Sequence, residues 1–353
     1  MADTLTKLTY ETLQQGKNYL SFAHKSILGQ VQKIVAPNTR PSFVLPIALI
    51  PIIQAKLDSL RAADLADAEA GIYPNRLLFD DPWVDYLRYY PMLCLDMSKI
   101  WERIDRKQYQ KFAPEVDTTG YPSYYVQNFH HQTDGYLSED SANLYDLQVE
   151  ILFGGSADAM RRRILAPLKA GLSQAFRDIP AKQQRVLDIA CGTGRTLRAI
   201  RATLPQASLY GTDLSPTYLR KANELLSELP GELPQLTQAN AEGLPYLDNY
   251  FHAITCVFLF HELPGIVRQN IIAQAFRTLQ PGGTFVICDS IQLSDSPELA
   301  PAMDGFDEIF HEPYYHDYTN DDLTLRLTNA GFKNVRTEVH FMSKYLIATK
   351  ESD

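Results

Sequence analysis

From Leu20 onward, apolar residues recur at Ala23, Ile27, Val31 and Ile34, with Lys17, Lys25 and Lys33 falling between them. This spacing matches the turn of an α-helix and predicts an amphipathic helix with a basic polar side. The apolar segment Phe43–Ile53 follows, and a second helical stretch is expected over Ile53–Leu65. Between Tyr73 and Tyr90 the aromatics Phe79, Trp83, Tyr86, Tyr89 and Tyr90 predict a small helical core. A further helix is expected over Met97–Phe112. Residues 113–125, APEVDTTGYPSYY, combine prolines, a glycine and polar side chains and read as a linker.

After residue 180 the period changes. Short β-rich runs alternate with helical stretches: Arg185–Ala190 then Thr196–Thr203, Ser208–Asp213 then Pro216–Leu229, Phe251–Phe258 then Pro264–Leu279, and Gly283–Asp289 then Asp321–Ala330. Such alternation predicts a parallel sheet covered on both faces. Val335–His340 and Lys344–Thr349 are separated by too short a turn for a parallel crossover, so they should pair antiparallel. The fold class is therefore α/β, a doubly wound, mostly parallel, Rossmann-like sheet with a terminal antiparallel hairpin and an N-terminal helical region. The expected organisation is a helical region of unknown role over 1–120, linker, lid and lead-in helices over 121–180, and a cofactor-binding domain over 181–353.

Charge narrows the range of partners. The chain of 353 residues has a net charge of −9. Residues 1–120 hold 14 basic and 14 acidic side chains, whereas 121–353 hold 19 and 28. An acidic main domain repels phosphate backbones, so no nucleic acid is expected as a partner. Cys94, Cys191, Cys256 and Cys288 form no CxxC pair, which supports neither a zinc site nor a disulfide framework and suits the cytoplasm. The opening MADTLTKLTYE has no apolar core of a signal peptide. Pro41–Ala55, the longest charge-free apolar stretch, falls short of the ~20 residues that span a bilayer. Residues 5–40 carry five basic groups and one acid. Residues 17–53 are thus a candidate peripheral membrane contact, the alternative being a helix that packs its apolar side on the main domain. The oligomeric state is left open.

The run RVLDIACGTGRTL, residues 185–197, carries the candidate chemistry. A buried strand leads through Asp188 into the small residues Ala190, Gly192 and Gly194 and then a helix, a turn that lets a ligand approach the helix N-terminus. Asp213 ends the next strand in LYGTDLSP, where a carboxylate accepts both hydroxyls of a ribose. Either a dinucleotide or another nucleoside cofactor fits so far. The second is favoured because the third glycine of GxGxxG is missing and because Asp188 suits a positively charged ligand better than a pyrophosphate. Further ligand-lining loops belong where QANAEGLPYLDNYFHAITCVFLFHELP and LQPGGTFVICDS fall.

VLDIACGTG, GTDLSP, NAEGLPY, FHAITCVFLFHEL and LQPGGTFVICD, in this order and spacing, resemble the class I S-adenosylmethionine-dependent methyltransferases. Within them the chain looks most like the small-molecule branch that includes the menaquinone and ubiquinone C-methyltransferases. SANLYDLQVEILFGGSADAMRRR, residues 141–163, is similar to the helix that precedes the cofactor domain there, and the resemblance covers about 137–349. It implies S-adenosyl-L-methionine as cofactor. Asp188 and the turn Ala190, Cys191, Gly192, Thr193 and Gly194 would hold its methionine end, and Asp213 its ribose. Leu214 would lie against the adenine, Asn240 and Ala241 at the adenine edge, and Val257 and Phe258 beside the sulfonium. Asn240 stands where many relatives have Asp. His252 replaces another Asp, at a position expected to face solvent.

Methyl transfer from a sulfonium needs alignment and exclusion of water, and a base only where the nucleophile must lose a proton. His261, in FLFHEL, is the candidate proton acceptor, with Glu262 to orient it. Candidate acceptor-binding residues are His130 and Tyr136 in a predicted lid over 124–142, Phe260, Asp289, and Tyr315 in the aromatic segment 304–323. His311–Glu312 with His316 have metal-ligand side chains, but neither HExxH nor a paired-carboxylate motif is present, and no metal is expected. Arg161–Arg163 reads as a solvated helix face. After the fourth strand the chain has Val257-Phe258-Leu259-Phe260 in place of the Asp/Asn-Pro-Pro-Tyr/Phe of enzymes that methylate base amino groups. The expected function is methylation of carbon or oxygen of a small, partly apolar acceptor, whether quinone, phenolic or terpenoid-like. The alternative is a catalytically silent binding or assembly factor.

Overall fold

The computed structural model describes residues 4–37, 39, 46–304, 306 and 310–351. Seven strands form one sheet in the order β3-β2-β1-β4-β5-β7-β6. They are β1 (Arg185–Ile189), β2 (Ser208–Asp213), β3 (Gln235–Gln238), β4 (Phe251–Val257), β5 (Leu279–Ser290), β6 (Lys333–His340) and β7 (Ser343–Thr349). All neighbours are parallel except β5/β7 and β7/β6. The strand order reverses direction at β1/β4, which opens a crevice at the C-terminal strand ends.

The central strands read as continuous apolar runs because both faces are covered. Leu187, Ile189, Ile254, Cys256, Phe285 and Ile287 point to one core, which is closed by α9 (Gly265–Thr278) and α12 (Leu323–Asn329). Their pleat neighbours Val186, Ala253, Val286 and Cys288 point to the other. That second core is closed by α6 (Leu165–Ala175), α7 (Arg195–Thr203) and α8 (Pro216–Ser227). The edge strand β3, QLTQ, has no apolar alternation to announce it.

Three long helices precede this unit: α1 (Thr4–Val35), α2 (Ile50–Glu69) and α3 (Trp83–Arg106). The later part of the aromatic segment, from Trp83, and most of the helix expected over Met97–Phe112 are one helix, α3, which runs through Pro91 and stops at Lys107, whose φ is +51°, while Asn75–Phe79 form a separate short turn. The packing of α1 departs from the alternative in which its apolar side packs on the main domain. Its apolar stripe points outward, with Leu20 65%, Ile27 60% and Ile34 81% exposed, while Gln14, Lys17, Ser21 and His24 are buried. The reason is electrostatic. Lys17 reaches Asp81 at 2.7 Å and also pairs with Glu150 of α4 (Glu139–Leu152), so the polar side of α1 is the side with partners. Lys25 gives its ammonium to the Leu152 carbonyl at 3.0 Å.

Arg161 and Arg162, in α5 (Ala157–Arg162), are buried rather than solvated. Arg162 grips Asp64 of α2 with Nε at 2.8 Å and Nη2 at 2.6 Å, and Tyr10 and Tyr73 each donate to the same carboxylate at 2.6 Å. Asp158 joins Arg161 to Arg195 at the start of α7, and these two guanidiniums overcome its burial to hold it far below the usual carboxylate range. His252 is likewise buried, against expectation. It accepts the Arg185 N–H at 2.9 Å and meets the Phe176 ring edge-on at 4.8 Å, and burial lowers its pKa to about 4. Part of the segment Phe43–Ile53 and residues 305 and 307–309 of the aromatic segment lie outside the described residues. Among the described residues, no helix is long and apolar enough to cross a membrane.

Candidate functional site

After β1 the chain passes Ala190, Gly192 and Gly194 at φ +54°, +54° and +85° before α7 begins. Gly194 has no substitute here: the left-handed backbone disfavours a side chain, and a Cβ would sit 3.1 Å from Ala222 of α8. The turn is pinned to the next strand. Cys191 donates its N–H to the Thr212 carbonyl at 2.9 Å, and Gly192 donates to Asp213 Oδ2 at 2.9 Å. Asp213 Oδ1 accepts the Ser215 N–H at 2.8 Å. Burial raises the Asp213 pKa to about 6 although these backbone donors oppose it.

A cleft opens where β1, β2 and β4 end. Its walls include Ala190, Gly192, Asp213, Leu214, Asn240, Ala241, Val257, Phe258 and Tyr136, so nine of the residues singled out in the sequence meet at one place. The remaining turn residues lie behind that surface. Asp188 is buried beneath the turn, where Thr255 donates to it at 2.6 Å, and burial pushes its pKa up to about 7. Cys191 packs in the core on the α7 side, and Thr193 donates to Asp146 of α4 at 2.8 Å.

The candidate acceptor-binding residues divide in the same way. Phe260 is wholly buried, packed in the core under α9. Asp289 does not face the cleft. It is fully buried and accepts the N–H groups of Leu259 at 3.0 Å, Phe260 at 2.6 Å and Ser290 at 2.8 Å, with His261 Nδ1 at 2.6 Å. It is the anchor that fixes the turn after β4. Tyr315 is buried and meets the Ser290 hydroxyl at 3.1 Å. His311 stacks on Tyr109 at 4.0 Å and contacts Gln127, and His316 is exposed, so these two histidines do not converge with Glu312.

A different set converges instead. His130, His261, Glu262 and Glu312 bring one ligand atom each within 4.8 Å of one another. His130 Nε2 lies 2.9 Å from Glu312 Oε1 and 3.5 Å from Glu262 Oε1, and Tyr136 donates its hydroxyl to Glu262. Burial opposes a charge on His130, but Glu312 and Glu262 outweigh it and raise its pKa to about 10. Burial works against His261 too, and Asp289 prevails, raising it to about 9. A histidine so held carries its proton at neutral pH and has no lone pair to offer as a base, which weakens the expected proton-acceptor role of His261. Glu262 also lines the cleft, together with Tyr124, Tyr125, Phe129, Tyr145 and Tyr218, none of which was singled out from the sequence. Of these, Tyr124, Tyr125 and Phe129 belong to the predicted lid. Tyr145 and Tyr218 carry no local signal.

The cleft suits an S-adenosyl nucleoside by the chemistry of its donors. A buried carboxylate stands at the end of β2, apolar Leu214, Ala241 and Ile271 form a slot beside it, and Asn240 brings an amide. Residues 186–283 match the family described as methyltransferase domain. The ubiquinone/menaquinone biosynthesis C-methyltransferase UbiE of Methylobacterium nodulans is 30% identical over 166 residues, 47% of this chain and 62% of its own length. The uncharacterized methyltransferase sll0829 of Synechocystis is 29% identical over 184 residues, 50% of this chain and 82% of its own. A solved structure, human N-acetylserotonin methyltransferase in complex with SAM, covers 76% of this chain and 70% of its own at 14% identity, with a TM-score of 0.47. The chain thus spans less than two thirds of the first relative's length. Residues 186–283 thus match the methyltransferase-domain family, and the chain is similar to the ubiquinone and menaquinone C-methyltransferases over about half of its length.

Proposed function

We propose that the chain transfers a methyl group from S-adenosylmethionine to carbon or oxygen of a small, partly apolar acceptor of quinone, phenolic or terpenoid-like character. The observation that carries this reading is the cleft itself, with Asp213 and the glycine turn on one side and Phe129, Tyr136, Tyr145 and Phe258 on the other. Asp213 accepts from the ribose hydroxyls, while Leu214, Asn240 and Ala241 flank the adenine. Asp188, Ala190, Cys191, Gly192, Thr193 and Gly194 hold the methionine end, those behind the surface by shaping the turn. Val257 and Phe258 lie beside the sulfonium. When bound, the cofactor supplies a methyl group that an in-line nucleophile displaces.

The aromatic wall keeps water out and leaves one polar corner, at Glu262 and Tyr136, for the acceptor's oxygen. His130 and His261 stand behind that corner. Calorimetric titration with S-adenosylmethionine and S-adenosylhomocysteine, with NADH as control, tests the reading. Binding of the two sulfur nucleosides alone supports it, and silence from both overturns it.

The outward apolar stripe of α1 supports a peripheral contact through residues 17–53 with the lipid phase that dissolves such acceptors, at the cytoplasmic side of a membrane. The same stripe is the one observation that favours the second reading, a catalytically silent factor that docks a partner protein. Loss of partner binding without loss of methyl transfer on altering α1 separates the two.

A further inference from the structure

We propose that His130, His261, Glu262 and Glu312 form a binding site for one first-row divalent cation, at the wall of the cleft where the acceptor sits. The inference rests on the methyltransferase reading for the ion's role, and on geometry alone for its existence.

The four side chains come from three segments that are far apart in sequence, the loop before α4, the turn after β4 and the stretch before α11 (Tyr315–Thr319). Their donor atoms nevertheless lie 2.9, 3.5 and 3.9 Å apart for the neighbouring pairs His130–Glu312, His130–Glu262 and His261–Glu262. Ligands at about 2.0–2.2 Å from a common centre are separated by about 3–4 Å, so one ion fits among them without rearrangement of the backbone. Two imidazoles, which release their protons to water as the ion enters, and two carboxylates are the donors that zinc, manganese and ferrous iron share.

Glu312 gives an independent indication. It is 0% exposed, and while its Oε1 meets His130, its Oε2 receives no hydrogen bond. A carboxylate buried in this way is costly unless a cation faces it. His130 Nε2 faces Oε1 alone.

The surroundings of the other ligands have the form expected around a metal. His261 is bonded through Nδ1 to Asp289 at 2.6 Å, which leaves Nε2 directed at Glu262. A carboxylate behind a histidine is the usual arrangement for fixing which nitrogen meets a metal. Tyr136 orients Glu262 through its hydroxyl. Asp289 itself is held by three backbone N–H groups, so the chain from backbone to Asp289 to His261 is rigid.

Because Glu262 is both a ligand and part of the cleft wall, the ion has a face toward the acceptor. The acceptors it selects are hydroxylated, a phenol or an enol beside a carbonyl. The acceptor oxygen binds the ion and gives its proton to water, because the cation stabilises the oxyanion. The new bond to the methyl carbon then forms from that oxygen, or from the ring carbon it activates, as the carbon–sulfur bond breaks and its electron pair stays on sulfur; in the second case the hydrogen on the methylated ring carbon leaves as a proton to water.

The test uses the full chain, freed of metal with a chelator and dialysed, and titrated separately with Co2+, Zn2+ and Mn2+ by calorimetry and, for Co2+, by visible absorption. The expected result is one ion per chain, with a cobalt spectrum that shows nitrogen and oxygen ligation. Affinity should fall at least about tenfold in Glu312→Gln and in His130→Gln. It should be unchanged in His316→Gln, which alters an exposed neighbour. Glu312→Gln removes a buried charge and keeps the shape, so its fold is retained, and circular dichroism checks this. Absence of saturable binding of all three ions overturns the site, as does binding that Glu312→Gln and His130→Gln leave untouched. S-adenosylhomocysteine titrated into the chelator-treated protein reports on the methyltransferase reading separately.

Discussion

Gly192 donates its backbone N–H to the carboxylate of Asp213 at 2.9 Å, so the turn after β1 and the acid that ends β2 form one rigid corner. An aspartate in this corner has a second lone pair on each oxygen for a ligand's hydroxyls. Asp213→Ala should weaken S-adenosylhomocysteine binding by ~1–3 kcal/mol, the worth of charge-assisted hydrogen bonds. Calorimetry measures it, and unchanged affinity refutes the ribose assignment.

The two buried acids give the protein a characteristic pH response. Burial lifts Asp188 from 3.8 to about 7 and Asp213 from 3.8 to about 6. Between those limits the folded chain holds protons that the unfolded chain releases. The contribution of each acid to stability therefore falls as pH rises through the window, by up to ~1.4 kcal/mol per pH unit. Asp188→Asn should flatten the decline in melting temperature of the cofactor-free protein between pH 5 and 7. A slope equal to that of the wild type contradicts the protonated state of Asp188.

Breaking the buried ion pair between α2 and α5 should be costly. Arg162→Met leaves the Asp64 carboxylate with only two tyrosine hydroxyls, and removing one partner of such a pair costs about 3–5 kcal/mol. Denaturant titration gives the number, and a loss below 1 kcal/mol shows the pair to be dispensable.

The stripe on α1 can be altered without disturbing its anchors. Leu20→Ser, Ile27→Ser and Ile34→Ser together change only exposed positions, so the folded core is unaffected within ~0.5 kcal/mol each. Flotation with anionic vesicles should fall in this variant. Equal flotation removes the membrane contact. Deleting residues 1–55 is a poorer test, because it also removes Lys17 and Tyr10 from buried contacts with Asp81 and Asp64.

Much of the main domain could be read from the sequence. Ser208–Asp213 is legible with its observed ends, since it lies between helical stretches and is closed by the turn residues that follow Asp213. β3 could not be read, because its QLTQ is an edge strand whose pattern follows its single neighbour β2. Which face of α1 packs inward stays open in the sequence for a related reason. Periodicity shows that a helix has two sides, and the partners of Lys17 decide which side packs. The cleft corner is legible because the turn of Gly192 and Gly194 follows one strand and Asp213 ends its parallel neighbour, in two motifs a short way apart in the chain. The grouping of His130, His261, Glu262 and Glu312 is not, because no spacing along the chain relates three segments that meet only in the folded chain.

Asp64 and Arg162 are 98 residues apart, and they are joined in the interior. Their pairing sets an order of events during synthesis. α1 and α2 leave the ribosome early with Tyr10 and Asp64 made, but the guanidinium that completes their interior arrives only with α5. Until then the Asp64 carboxylate lacks its cationic partner and stays hydrated. The first part of the chain therefore waits for its middle, and its exposed apolar surface is available to chaperones for the whole of that interval.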